Sequence, residues 1–434
     1  MLFAGSRYAT RLPIGTLESL QDFDHADLRR FYHDWYRPGL MAVVAVGDFD
    51  PVEMEQRIRT RFASLRNREA APARVVHHVP IGETTKVHVS TDPELTSSVV
   101  DVYHLQPLRS DTTVGGFRQQ LVETLYNGML NRRLAEITQR PGAPFVNAYS
   151  AQGRYVRSSE FYALGALAHE GGVPRALSAV MTEAARVDRH GFTSGELERV
   201  KADVLRAYEQ AHAEREQEES DVLAAEYVAH FLNGDPSPGI VAEYALVRTL
   251  LPGVTLGEVN VLAREWITTR GRVVLASVPA KAGVAVPGEA GLLDAIAAAA
   301  SLPVAAYEDV VSDQPLFAVP PVPGRIVTAA HDSLLGITTW MLSNGARVVV
   351  KPTDFKADEV LVNAVQGISD LILGPGLITG ASDDDPSGIA TYSQAGAQFG
   401  YGLGWTMIFT YPLMSAVQMQ TSSGRVHSQV LASV

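Results

Sequence analysis

The sequence predicts an α+β fold in which antiparallel sheets are flanked by helices, with a separate hydrophobic helical segment near the C-terminus. Three observations support this prediction. Between residues 84 and 280, stretches with the two-residue alternation of strands lie among stretches with the three- to four-residue spacing of helices. These stretches do not alternate regularly, which argues against a parallel βαβ architecture. After Val365 charged residues become scarce, so the remainder is a different kind of sequence.

Residues 1–68 are predicted to be the C-terminal part of a first α+β domain. Asp24 can cap a helix whose apolar residues recur at helical spacing. The unbroken apolar run over residues 40–46 is typical of a strand that is buried on both faces. Asp50-Pro51 suits the start of a second helix, with Asp as the cap and Pro in the first turn. Both helices are expected to bury their apolar faces, and residues 69–83 are expected to be a linker.

Residues 84–280 are predicted to form a complete second α+β domain. Its longest helix begins at Val114, and a later helix carries a capping box formed by Thr193 and Glu196. The acidic run over residues 214–219 is expected to be a solvated helix face. The other predicted elements are strands at 86–91, 97–105, 145–156, 160–168 and 272–278, a helix from Val173 and a helix at 254–267.

Two segments of different character follow this domain. Residues 281–324 are rich in Ala, Gly and Pro and low in charge, which predicts a linker that contains one Ala-rich helix. Residues 325–365 are predicted to begin a third α+β domain. Their clearest signal is a hairpin over residues 337–350 whose turn contains Asn344 and Gly345, the pair favoured by a type I′ turn.

The C-terminal part of the chain has the composition of membrane helices. A membrane-spanning helix needs about 20 mostly apolar residues. Residues 371–420 supply one such stretch and a second that is interrupted by three consecutive acids at 383–385. The last residues, 421–434, form a polar tail. Contact with a membrane is therefore expected, if anywhere, through residues 371–420.

Composition excludes several classes of function. The chain has no cysteine, so it contains neither disulfides nor thiolate ligands for zinc or iron–sulfur clusters. Its formal net charge is −12, and no cluster of Lys and Arg offers a surface for nucleic acid. The first residues lack the apolar stretch and cleavage pattern of a secretory signal. The sequence leaves the compartment open.

A hydrolytic zinc site needs two histidines on one helical face with a carboxylate beside them, as in the HExxH and HxxEH motifs. Neither motif occurs in this sequence. His77 and His78 are adjacent and would point to opposite faces of a strand, whereas His169 and His212 each lack a second histidine at the required spacing. These histidines are expected to be surface or core residues rather than ligands.

One polar constellation is a candidate metal site. Asp385 is the last of three acids in an apolar stretch, and Pro386 and Gly388 would break a helix there and free backbone carbonyls. This combination is typical of cation sites in discontinuous transporter helices. The alternative is a water-exposed loop between two short hydrophobic pieces.

Several stretches up to about residue 364 together resemble the pitrilysin/insulinase family of zinc metallopeptidases. The resemblance implies α+β domains that close around a peptide chamber, with zinc held by an inverted HxxEH motif and a distal Glu. That motif lies upstream of the matching region, so no catalytic residue and no cofactor is assigned to this chain, although zinc is implied for the complete family. The matching stretches are Arg11–Gly15, Phe31-Tyr32, Trp35–Pro38, Met41–Asp48 and Leu342–Thr353.

A second resemblance, to the Nramp-type divalent-metal transporters, covers about the last sixty residues. It rests on Gly374–Gly380, on Asp385-Pro386 and on Tyr411–Leu413. Asp385 matches the metal-binding Asp in the family's Asp-Pro-Gly-Asn motif, but Ser387 and Gly388 replace its last two residues. The resemblance implies a metal ligand at Asp385 and leaves the second ligand unassigned.

Three hypotheses about function follow. The first is a non-catalytic fragment of a zinc peptidase that helps to enclose a peptide substrate or binds a companion peptidase chain. The second is a membrane-tethered protein whose C-terminal segment binds a divalent metal. The third is an artefactual fusion of two coding regions with no integrated function, because both families are interrupted close to Val365.

Overall fold

The computed structural model describes residues 1–11, 14–67, 75–109, 112–309 and 324–354, together with residues 73, 322 and 361. The chain divides between Ala357 and Asp358, and nearly all of the described residues belong to the first unit. The predictions for residues 371–420 and for the tail at 421–434 lie outside the described residues.

A five-stranded sheet forms the centre of the described structure, with strand order β1-β5-β2-β4-β3. The five strands predicted between residues 84 and 280 are all present within a few residues of their expected limits. β2 pairs antiparallel with β4 and β5, and β3 pairs antiparallel with β4. β1, however, pairs parallel with β5, so the sheet is mixed rather than purely antiparallel. The strands are β1 (Lys86–Asp92), β2 (Ser98–Pro107), β3 (Asn147–Val156), β4 (Ser159–Ala168) and β5 (Arg272–Pro279).

Most of the predicted helices are also present, and side-chain caps mark where several of them begin. The Thr193–Glu196 capping box is confirmed, and Thr255 and Glu258 form a second one. The acidic run at 214–219 was expected to be a helix face, but it separates two helices and contains a short 3₁₀ turn. The helices are α1 (Leu17–Asp22), α2 (His25–Trp35), α3 (Pro51–Phe62), α4 (Val114–Thr138), α5 (Val173–His190), α6 (Ser194–Ala213), α7 (Ser220–Asn233), α8 (Ile240–Leu250), α9 (Leu256–Trp266) and α10 (Glu289–Ser301).

The main core lies between one face of the sheet and the helices α4, α5, α6, α9 and α10. The alternation of β2 and β4 places Val102 and Leu164 on this face, and the helical spacing of α4 aims Leu125 at it. Helix α10 is the Ala-rich helix expected after residue 280. It buries Leu292 and Ile296 against this core, so the packed structure continues beyond residue 280.

The opposite face of the sheet, here called the outer face, carries a smaller apolar cluster. Tyr103 on β2 and Val273 on β5 are buried there with Val79. The N-terminal residues Phe3 and Tyr8 pack against the same cluster. Apolar contacts therefore hold residues that precede this domain in the sequence against the outer face, just as α10, which follows the domain, packs on the main core.

The N-terminal helices form as predicted but do not bury their apolar faces. Asp24 and Asp50 accept the expected capping bonds, yet neither α2 nor α3 has a fully buried residue. The apolar run at 40–46 was expected to be a buried strand, and this prediction is wrong: it contains the end of a 3₁₀ turn and unpaired, largely exposed chain. A buried strand needs neighbours for its amide groups, and the described residues provide none here.

A separate three-stranded antiparallel sheet is formed by β6 (Ile326–Asp332), β7 (Ile337–Leu342) and β8 (Arg347–Val350). The predicted hairpin is present as β7 and β8, but its turn differs from the expected type I′ turn. The Gly345 N–H donates to the Leu342 carbonyl at 2.9 Å, which places Ser343 and Asn344 at the centre of the turn. Gly345 follows them with φ +83°, a left-handed conformation that glycine adopts without strain.

Within the described ranges, no single helix meets the length and hydropathy expected of a membrane span. One pair, Ile240–Gly253 with Leu256–Trp266, passes the test of length and composition when taken together, and its two halves are bent by 94°.

Candidate functional site

A groove of about 1260 Å³ opens at one end of the five-stranded sheet. One wall is the first part of α4, and another is the β3–β4 hairpin. The N-terminal residues and the loop after α7 complete the rim. The groove is bordered by elements from distant parts of the sequence.

A buried carboxylate lies on the α4 wall of the groove. Glu123 is 1% exposed, which is costly for a charge unless partners surround it. It accepts hydrogen bonds from Gln119 Nε2 at 3.1 Å and Gln152 Nε2 at 3.0 Å, and it forms an ion pair with Arg109. The hydrogen bond to Glu123 is the largest influence raising the pKa of Arg109. The carboxylate is thus committed to protein donors.

Further ion pairs cross the groove between its walls. Arg109 Nε also donates to Glu160 Oε2 at 3.0 Å. Arg154 on β3 pairs with Asp235 of the loop after α7 at 3.3 Å. Charges of both signs are therefore distributed along the groove, and ion pairs connect the elements that line it.

An aromatic surface forms the other end of the groove, and we call Phe3, Tyr155 and Phe161 the aromatic shelf. Tyr155 stacks on Phe161 with ring centroids 4.4 Å apart, and the Phe3 ring approaches Tyr155 edge-on at 6.3 Å. The Tyr155 hydroxyl is 3.0 Å from that of Tyr103. Tyr155 is nevertheless 53% exposed, so the shelf offers an aromatic face to a ligand.

Beside the groove, the outer face of the sheet has a close-packed polar pair. The Tyr149 hydroxyl donates to Asp101 Oδ1 at 2.8 Å, and both side chains lie over Gly165. A Cβ added at Gly165 would lie 2.3 Å from the Asp101 carboxylate and from the Tyr149 ring. Burial is the main influence raising the pKa of Asp101. Glycine is therefore required on β4 for this pair to form.

Among the described residues, no group of three or more His, Asp or Glu side chains is placed to hold a metal ion. His212 packs its ring 4.9 Å from that of Tyr244, and His169 is exposed at the end of β4. His77 contributes a backbone carbonyl, which accepts a hydrogen bond from Ser158 Oγ at 2.6 Å. Asp385, the metal ligand predicted from the sequence, lies outside the described residues.

The groove residues were not predicted from the sequence. One signal was available for Glu123, because a carboxylate follows Leu121 and Val122 directly on the core-facing part of α4. A charge at such a position needs a buried partner. Arg109 and Tyr155 gave no comparable signal, because each is partly exposed and meets the others only through the folded sheet.

The sequence is similar to a known family model and to known zinc proteases. Residues 22–204 match the family model described as Peptidase M16 inactive domain. The chain is 30% identical over 378 residues to the zinc protease PQQL-like of Arabidopsis thaliana, covering 86% of this chain and 36% of that protein. It is 25% identical over 385 residues to the probable zinc protease PqqL of Escherichia coli K12, covering 85% of this chain and 40% of that protein.

Solved structures agree in fold. The periplasmic protease PqqL from Escherichia coli matches with a TM-score of 0.66 at 23% identity, over 81% of this chain and 39% of that one. Its first half, solved separately, matches with a TM-score of 0.65 at 22% identity, over 71% of this chain and 66% of that one. These likenesses confirm the α+β fold with sheets flanked by helices.

The predicted relationship to the pitrilysin/insulinase-type zinc peptidases is therefore confirmed, and residues 22–204 are the part that matches the model described as inactive. The chain spans about two fifths or less of the curated relatives just described. The second predicted resemblance is confirmed for a short stretch, since residues 376–427 match the model described as natural resistance-associated macrophage protein-like.

Proposed function

We propose that residues 1–309 form a non-catalytic part of a zinc peptidase, in which the groove holds an extended segment of a peptide substrate. The observation that carries the proposal is the groove itself, which lies in a domain of the inactive type and joins an aromatic shelf to a row of paired charges. An apolar side chain of the peptide would lie on Tyr155 and Phe161. Its backbone amides and carbonyls would meet the polar residues of the α4 wall.

The zinc for such an enzyme would come from a companion domain. The family's zinc motif does not occur in this sequence, and the described residues offer no metal cluster. The exposed apolar residues of α2 and α3 are suited to contact such a companion, because Phe31 and Phe62 face solvent here. In this proposal the companion covers those faces and brings its zinc to the peptide held in the groove.

Peptide binding can be tested on the full chain by fluorescence anisotropy with a labelled, unstructured casein-derived peptide. Tyr155→Ala removes the exposed ring of the aromatic shelf. We expect binding about tenfold weaker, which corresponds to about 1.4 kcal/mol. Tyr227→Ala is the matched control, since Tyr227 is similarly exposed on α7 but does not line the groove. Equal affinity of the Tyr155→Ala variant and the parent chain would reject the groove as the peptide site.

The proposal that a companion domain supplies the zinc is tested separately. The chain would be mixed with the HxxEH-bearing region of the Arabidopsis relative, and cleavage of a quenched fluorescent peptide would be followed with and without a chelator. We expect chelator-sensitive cleavage with both components and no turnover by this chain with added zinc. Chelator-sensitive turnover by this chain alone would contradict the proposal.

A second function is proposed for the C-terminal segment because of its match over residues 376–427. In this proposal Asp385 ligates a divalent metal and residues 371–420 associate with a membrane. Binding of Mn²⁺ by the full chain in detergent would be measured by isothermal titration calorimetry. Asp385→Asn should abolish the binding, whereas Asp383→Asn, a neighbouring loss of the same charge, should leave it within about twofold. Equal binding by both variants would count against Asp385 as the ligand.

A further inference from the structure

Residues 302–309, which we call the strap, follow helix α10 and precede the segment leading to β6. They form neither helix nor strand. They run across the ends of α5 and α6 and reach α4 through side-chain contacts. This arrangement lies away from the groove, and no residue of the strap lines it.

The first part of the strap is held through its backbone carbonyls. Arg189 Nη1 donates to the Leu302 carbonyl at 2.5 Å, and His190 Nε2 is 2.8 Å from the Val304 carbonyl. Arg186 donates to the carbonyl of Ala305. All three donors come from the last two turns of α5. Because they contact backbone atoms, they hold this part of the strap without depending on its side chains.

Tyr307 attaches the middle of the strap to α4. Its hydroxyl donates to the Glu136 carboxylate at 2.8 Å, and its ring lies 4.1 Å from the Arg133 guanidinium carbon. Phe192 faces the same guanidinium at 4.9 Å. Arg133 is 1% exposed and is also paired with two buried glutamates, so Tyr307 covers a fully compensated cation.

Asp309 attaches the end of the strap to the first turn of α6. Its carboxylate accepts a hydrogen bond from Arg199 at 2.7 Å and lies 3.2 Å from the Thr193 hydroxyl, at the positive end of the helix. The carboxylate occupies space that is free only because residue 195 is glycine. A Cβ at Gly195 would lie 2.3 Å from Asp309 Oδ2.

We propose that the strap is a releasable latch, with Tyr307 and Asp309 as its two catches, that sets where the chain leaves the five-stranded-sheet domain towards β6. Charged and polar contacts hold it, and Leu302 and Ala305 are exposed, so little apolar surface keeps it in place. Such contacts weaken as salt screens them. Release of the two catches frees residues 306–309, which extend the connection by up to about 14 Å. This device is independent of the groove and of the proposed peptidase role.

Gly195→Ala in the full chain tests the latch without changing any charge. The added methyl group takes the place of the Asp309 carboxylate. Gly257→Ala is a closely matched control: Gly257 occupies the same position in the Thr255–Glu258 capping box, where the nearest atom to an added Cβ is 4.0 Å away. Both changes replace glycine by alanine in the first turn of a helix, so their effects on helix propensity are similar.

The readouts are the rate of chymotrypsin cleavage after Tyr307 and the rate of cleavage after the exposed Glu308 by a glutamate-specific protease. We expect Gly195→Ala to raise both at least tenfold and Gly257→Ala to leave both within twofold. Asp309→Asn, which removes the charge that faces Arg199, should raise both several-fold. In the parent chain, 1 M NaCl should raise them relative to 50 mM NaCl.

Two results would overturn the latch. The first is an unchanged rate of both cleavages in Gly195→Ala and in Asp309→Asn. The second is a rise of the same size in Gly257→Ala, because that would mark a general loosening of the helices rather than the release of Asp309. Should Gly195→Ala fail to fold, Asp309→Asn and the salt dependence decide the question by the same criteria.

Discussion

Helices α4 and α2 have similar sequence patterns, a capping residue followed by regularly spaced apolar residues, but different surroundings in the structure. Each begins after a capping residue, Thr113 in α4 and Asp24 in α2, whose side chain accepts a backbone N–H. Each carries apolar residues at helical spacing. Leu125 of α4 is 0% exposed, whereas Leu28 of α2 is 55% exposed.

This difference separates two contributions to the stability of a helix: packing against the rest of the protein, and local interactions within the helix. Burial of apolar surface contributes about 25 cal/mol per Å², and only where that surface leaves water. Capping and i,i+4 ion pairs contribute about 0.2–2 kcal/mol each, and helices of about a dozen residues are marginal without packing. Residues 84–301 gain both contributions. Residues 14–67 have only the local one among the described parts of the chain.

The largest contrast is expected between two arginines that each pair with glutamate. Arg133→Met leaves Glu196 buried without its cation and leaves Glu183 with Arg186 alone, and we expect a loss of about 3–5 kcal/mol in the free energy of unfolding. Arg57→Met removes an exposed ion pair with Glu53 on α3, and the free energy of unfolding should change by about 0.5 kcal/mol or less. Urea unfolding followed by circular dichroism measures both. Equal losses would remove the distinction between the two regions.

Core leucines give the next contrast. Leu125→Ala opens a cavity in the main core, and the expected loss is about 2–5 kcal/mol. Leu28→Ala removes an exposed side chain, and the expected change is within about 0.5 kcal/mol. Thermal unfolding of both variants and the parent chain provides the comparison. If Leu28→Ala proved as destabilising as Leu125→Ala, α2 would be packed in solution.

The next comparison concerns the tightly packed Asp101–Tyr149 pair on the outer face of the sheet. Gly165→Ala places a methyl group against Asp101 and Tyr149, and overpacking of this kind costs about 1–3 kcal/mol. Gly291→Ala on α10 is the control, because nothing lies within 4 Å of its added Cβ. Urea midpoints would show a clear drop for the first and none for the second. A drop of the same size in both variants would show that the loss does not come from contact with Asp101 and Tyr149.

Mild acid should destabilise the region of the five-stranded sheet through one buried histidine. His104 is buried beside Tyr162, and neither of its ring nitrogens makes a hydrogen bond to the described residues, although the Thr268 backbone lies near enough to oppose the shift in part. Burial is the first cause that lowers the pKa of His104 to about 3, and the charge of Arg272 adds to it.

Because the unfolded chain binds this proton more tightly, unfolding takes up a proton below pH 6.5. The free energy of unfolding therefore falls as pH drops from 6.5 towards 3, by up to about 1.4 kcal/mol per pH unit. Urea unfolding at pH 7, 6 and 5 should show this slope in the parent chain and in His33→Gln, an exposed control on α2. The slope should flatten in His104→Leu. A slope that persists in His104→Leu would assign the effect to another group.

Local signals in the sequence predicted the elements but not how they meet. The strands at 86–92 and 272–279 followed from alternation, and the Thr193 capping box followed from its spacing. The parallel pairing of these two strands could not be predicted, because it depends on a crossover through most of the domain. The prediction of a buried strand at 40–46 was wrong for a related reason. An apolar run forms a buried strand only where neighbouring strands pair with it.

The candidate site was still less predictable. Glu123, Arg109 and Tyr155 meet because α4, the end of β2 and the β3–β4 hairpin converge at one end of the sheet. No short motif links them in sequence. Asp309 and Gly195 are likewise more than one hundred residues apart, and only the folded chain shows that one requires the other.

Hydrogen exchange across the full chain, followed by mass spectrometry, tests most directly whether the two regions differ in self-sufficiency. Amides of α4 and α5 should exchange only on global unfolding, slowed by roughly 10³-fold or more relative to an unstructured chain. Amides of α2 and α3 should exchange within about tenfold of that unstructured rate. Protection of α2 and α3 equal to that of α4 would contradict the account, because it would show that residues 14–67 are packed without a companion.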